Sequence, residues 1–143
     1  MPWRKKILAV IAILLLFLCD YLYWTQEMPL AEKLPEEIKS SVKADLIYYD
    51  AFFTPSSKAL TAEDEGLAEI LKGLEKTAVT RRPKFSTMSQ PFFYLYLYYP
   101  DGYTCMTIVE NGAIAVTPDM RSDKRFFFDS SEELYQTLLT LTE

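Results

Sequence analysis

Residues 90–116 read QPFFYLYLYYPDGYTCMTIVENGAIAV. The chain carries no charge from 91 to 99 and then meets Pro100-Asp101-Gly102. That triplet is a turn signal, because proline sets the first turn dihedral and glycine accepts positive φ. A return strand follows over 103–109. Asn111-Gly112, the favoured pair of a type I′ hairpin, then leads into a third strand over 113–117. Strands joined by such tight turns are antiparallel neighbours. Alternation along the first strand puts Phe93, Leu95, Leu97 and Tyr99 on one face and Phe92, Tyr94, Tyr96 and Tyr98 on the other.

Upstream, residues 44–53 (ADLIYYDAFF) read as a strand closed by Thr54-Pro55-Ser56-Ser57. Thr61, with Asp64 three residues on, is expected to cap a helix whose apolar positions Leu67, Ile70, Leu71 and Leu74 share one face. Lys72 and Lys76 near its end suit the helix dipole. Residues 77–84 suggest a short edge strand running into a basic loop. Residues 124–129 add a further strand, and Ser131, Glu132 and Glu133 open a closing helix with Leu134, Leu138 and Leu141 on one face. The expected class is α+β: an antiparallel sheet of about four to five strands with two amphipathic helices on one face.

The N-terminus reads differently. Arg4, Lys5 and Lys6 precede an apolar run over 7–24 interrupted by Asp20. At ~1.5 Å per residue the run spans roughly 27 Å, close to the ~30 Å of a hydrocarbon core. Asp20 lies within about one helical turn of the far end, where its cost is reduced. Trp3 at one end, with Tyr21, Tyr23 and Trp24 at the other, suits the two interfacial belts, and the basic cluster favours a cytoplasmic N-terminus. The expected division is a cytoplasmic stub (1–6), a transmembrane anchor (7–24), a tether (25–36) with Pro29 and Pro35, and an extracytoplasmic domain (37–143). Three alternatives remain. A cleaved signal peptide lacks its small-residue cut site here, a lipoprotein signal would acylate Cys19 but finds Leu18 before it, and a buried core helix would not need the basic flank.

Composition removes several function classes. The chain has no histidine, which excludes Ser-His-Asp and Cys-His catalysis and histidine-ligated zinc. Two cysteines, one inside the apolar run, cannot make a disulfide framework. Beyond the anchor, over residues 25–143, stand 19 acidic and 12 basic side chains, a net of −7 (12 − 19), on a chain whose total is −5. A domain this acidic is a poor nucleic-acid partner. Its carboxylates, such as Asp50, Asp64, Asp101 and Glu110, fall at turns and helix starts, where structural roles are expected. Asp119, Asp123 and Asp129 are too widely spaced for a calcium loop. Cys105 has no activating base and reads as a small packing residue. No catalytic, cofactor-binding or metal-ligating set emerges, and the domain is expected to bind rather than catalyse.

Two candidate binding features remain. Seven of the twelve residues from 92 to 103 are aromatic, more than a core strand requires. The Phe92, Tyr94, Tyr96 and Tyr98 face serves either cross-strand pairing or contact with an envelope protein or a second copy; the alternative is a glycan- or peptide-binding module or an enzyme inhibitor that plugs a cleft. Arg81, Arg82 and Lys84 form the basic concentration outside the anchor, either a solvated loop or a contact for an acidic partner such as wall polymer or lipid headgroups.

The capped helix, the double hairpin YYPDGYTCMTIVENGAIAV and the closing SSEELYQTLLTL together resemble the small membrane-tethered or lipoprotein-type domains of low-GC Gram-positive bacteria, over roughly residues 44–142. The resemblance implies an extracytoplasmic location and supplies no catalytic residues. The poor lipobox around Cys19 departs from the lipoprotein form.

Overall fold

The computed structural model describes residues 2–85, 90–119 and 124–142. It is α+β. Helix α1 (Trp3–Thr25) holds no buried residue and is long and apolar enough to cross a membrane, a property that N-terminal signal sequences share. Strand β1 (Met28–Pro29) follows, then two 3₁₀ turns at Leu30–Lys33 and Glu36–Ser40. The remaining elements are β2 (Lys43–Tyr49), β3 (Pro55–Thr61), α2 (Glu65–Lys76), β4 (Ala78–Arg81), β5 (Phe92–Tyr99), β6 (Gly102–Val109), β7 (Ala113–Thr117), β8 (Phe126–Ser130) and α3 (Glu133–Thr142).

All eight strands join one antiparallel sheet in the order β1-β4-β8-β7-β6-β5-β2-β3. The sheet is therefore larger than the four to five strands expected. The additions are strands with little apolar content. In β3 only Leu60 is buried, so Pro55-Ser56-Ser57 read as a turn although it pairs with Tyr49, Tyr48 and Ile47. A polar strand with proline first and a lysine within it is suited to a sheet edge. β4 is not the edge, because β1 lies outside it, with Met28 opposite Val79.

The 25–36 stretch is also not a free tether. Met28 and Leu30 are buried in the core, Leu34 packs against it, and the Leu30 amide donates to the Thr77 carbonyl at 2.9 Å. Only Gln26 and Glu27 separate α1 from the sheet.

The main core lies between the sheet and the two later helices. Leu67, Ile70 and Leu74 of α2 and Leu134, Tyr135 and Leu138 of α3 pack with Ala44, Leu46, Phe93, Leu95, Leu97, Met106, Ile108, Ile114, Val116 and Phe128. α2 carries the chain from the β3 edge towards β4, which lays its apolar stripe over this face. It is capped at Asp64 rather than Thr61, since Thr61 is still the last residue of β3. The Asp64 carboxylate instead accepts from the Thr61 amide at 2.8 Å.

The β6–β7 hairpin also departs from expectation. Ile108 pairs with Ile114, and the Gly112 amide donates to the Val109 carbonyl at 2.9 Å. Gly112 sits at φ +94° while Asn111 keeps a negative φ. This is a three-residue loop with glycine in the left-handed position, not a type I′ pair. Gly112 is also held by its surroundings: its carbonyl accepts from the Ser130 amide at 2.9 Å, and a Cβ there would collide with the Ser130 carbonyl oxygen.

Candidate functional site

The face of the sheet turned away from α2 and α3 carries the aromatic residues that alternation assigned to it. Across the strands Phe92 stands between Tyr49 and Val109, Tyr94 between Ile47 and Thr107, Tyr96 between Asp45 and Cys105, and Tyr98 between Lys43 and Tyr103. This face divides in two. At one end Phe92 is 3% exposed and forms a second small core with Val109, Ala113, Tyr49, Phe85 and Tyr94. Its ring stacks on Tyr49 at 5.0 Å and meets Tyr94 edge-on at 5.2 Å. Phe92 is thus a packing residue, withdrawn from any contact surface, and Tyr94 is largely engaged with it.

At the other end Tyr96, Tyr98 and Tyr103 are half-buried and lean on one another, with ring centroids 5.5 to 6.4 Å apart. Lys43 lies 5.4 Å from the Tyr98 ring centroid. The Tyr96 hydroxyl interacts with Cys105 and the Tyr98 hydroxyl with Asp45, each its cross-strand or adjacent neighbour. Burial above all, then the adjacent Cys105 thiol, pushes the Tyr96 phenol up to about 12. Burial and a hydrogen bond to Asp45 raise Tyr98 as well. Burial lifts Cys105, opposed by a hydrogen bond from Tyr96 and by the charge of Arg125. Raised in this way, the Tyr96 and Tyr98 phenols keep their protons near neutral pH and offer rings and O–H groups on this face.

The basic residues sort differently from their sequence cluster. Arg81 closes β4 and turns to the end of α1: its guanidinium donates to the Tyr23 carbonyl at 3.0 Å and covers the Tyr23 ring at 4.2 Å. Arg82 forms an ion pair with Asp129 at 2.7 Å and lies over Phe85 at 4.7 Å. Lys84 is exposed in the loop beyond. Arg81 and Arg82 line a cleft of about 330 Å³ together with Tyr23, Trp24, Lys33, Arg125 and the Phe126, Phe127 and Phe128 run. Sequence reading missed Lys33 and Arg125 because they lie far from residue 81 in the chain. The basic-aromatic run at 124–128 was the available signal.

Two larger grooves, each about 510 Å³, lie on the helix side. One runs between α2 and α3, and the other between the 3₁₀ turns and α2 over Leu34, Ile38, Leu71 and Leu74. Among the described residues no three His, Cys, Asp or Glu side chains group closely enough to hold a metal ion. The chain matches no family model, no curated protein and no solved structure.

Proposed function

We propose that this chain is a single-pass membrane protein, N-terminus in the cytoplasm, whose extracytoplasmic sheet domain binds another envelope protein or a second copy of itself. The observation that carries the reading is the Tyr96, Tyr98 and Tyr103 cluster. Three large rings stay partly exposed on a sheet whose main core is already complete on the opposite face. Tyrosine on such a surface offers apolar area at low entropic cost, and it is enriched among binding hot spots. Support for the anchor comes from the length and hydropathy of α1. Support for its orientation comes from Arg4, Lys5 and Lys6, since insertion is decided by sequence flanks before the domain folds. A glycan or peptide ligand on the same rings is the competing reading, and the nearly parallel Tyr96 and Tyr98 rings, 20° apart, favour it.

The test places a photo-crosslinking residue at Tyr98 in the full chain in intact membranes, with Lys39, an exposed site on the second 3₁₀ turn, as control. A discrete protein adduct from position 98 and none from 39 is expected. Equal labelling from both removes the proposed face. A reporter fused after Glu143 should be active only outside the cytoplasm.

A further inference from the structure

We propose that the cleft beside the end of α1 binds the phosphate of an anionic phospholipid headgroup and so seats the β4–β8 side of the sheet on the bilayer surface. The proposal rests on the membrane-anchor reading of α1. Its first support is charge. A domain of net −7 gathers Lys33, Arg81, Arg82 and Arg125 around one cleft of about 330 Å³ that, among the described residues, no acidic side chain lines. Asp129 pairs with Arg82, and Arg81 directs one N–H to the Tyr23 carbonyl, so among the described residues cationic donors remain for an anion. Guanidinium groups present forked N–H pairs that match phosphate oxygens.

Depth is the second support. Tyr23 and Trp24 line the same cleft, and in a spanning helix these residues lie in the interfacial belt. With two residues between α1 and β1, the cleft has no freedom to leave that level. Phosphate groups are fixed at this depth, and each lysine or arginine placed there gains attraction to an anionic leaflet. Phe126, 42% exposed at the cleft, gives an apolar contact where headgroup meets acyl chain.

The full chain, purified in a neutral detergent, is titrated with phosphatidylglycerol, phosphatidylcholine or inorganic phosphate, and bound lipid is read by native mass spectrometry. Phosphatidylglycerol should be retained over phosphatidylcholine. Lys33→Gln with Arg125→Gln should weaken it roughly 25-fold, about five-fold for each cation removed. Lys39→Gln with Lys58→Gln, both exposed and outside the cleft, should leave it unchanged. Should the first pair fail to fold, Arg125→Gln at its exposed position still reads about five-fold. Equal retention of phosphatidylcholine, an unchanged affinity in the cleft variants, or equal binding of inorganic phosphate overturns the headgroup site. Release of the chain from membranes by alkaline carbonate overturns the anchor and the site together, whereas retention with any of the preceding failures overturns the site alone.

Discussion

Neighbouring residues of β5 live in different surroundings. Phe93, Leu95 and Leu97 are fully buried beneath the helices, while Tyr94, Tyr96 and Tyr98 are half-buried on the far side. Phe92 breaks the symmetry, since it faces the tyrosine side and is still 3% exposed. Polarity of the side chain therefore does not decide the environment here. What decides it is whether another segment reaches that part of the sheet: Phe85 packs against the cluster of Phe92, Val109 and Ala113, while Tyr96 and Tyr98 meet chiefly each other and Tyr103.

This contrast can be broken by mutation, beginning where the cost is largest. Phe93→Ala removes a fully buried ring that packs on Tyr48 and Tyr135, and it should cost about 4 kcal/mol. Chemical denaturation of the full chain in detergent would show it as a loss of much of the domain's stability. Phe92→Ala should cost about 3 kcal/mol, at the low end for a buried phenylalanine, because its cluster is small. A cost near zero would mean that the tyrosine face has no packed end.

Tyr96→Ala with Tyr98→Ala should cost roughly 0.2–1 kcal/mol for each ring, the size of a cross-strand pair. If the pair melts as readily as Phe93→Ala, both faces are core and no binding face exists. The mildest probe is alkaline pH. The Tyr96 phenol is raised from 10.0 to about 12 in the folded protein, so the unfolded chain loses this proton first. Stability should be level up to about pH 10 and fall as pH rises towards 12. Tyr98 and Tyr135 are raised as well and add to the fall. Tyr96→Phe should flatten part of the decline in melting temperature, and an unchanged profile would mean that Tyr96 is freely solvated.

The legible parts of the fold were those with a strong apolar period. β5, β6 and β7 announced themselves by alternation and turn residues, and α2 by Leu67, Ile70 and Leu74. β3 was illegible because an edge strand of serines and lysine needs only its backbone to pair. Met28, Leu30 and Ile38 reach the core from a strand of two residues and two 3₁₀ turns, so no period marked them. The face assignment along β5 followed from parity alone, yet parity says nothing of Phe85 joining the Phe92 cluster. The same limit hid the cationic cleft. Residues 33, 81, 82 and 125 converge only because β8 pairs with β4 and the 3₁₀ turn after β1 sits beside them, a strand order no local pattern encodes.

The brevity of the link between α1 and β1 sets a limit on whom this protein can meet. Two residues extend at most about 7 Å, and a globule of this size has a radius of gyration of roughly 13 Å. For a chain held in a bilayer by α1, every surface of the domain then stays within a thin layer above the lipid. Encounters with other membrane-bound molecules become a search in two dimensions at fixed height, with much of the orientational freedom already removed. A soluble partner must descend to that layer, and a partner whose matching surface stands far above it is out of reach however well the rings would fit.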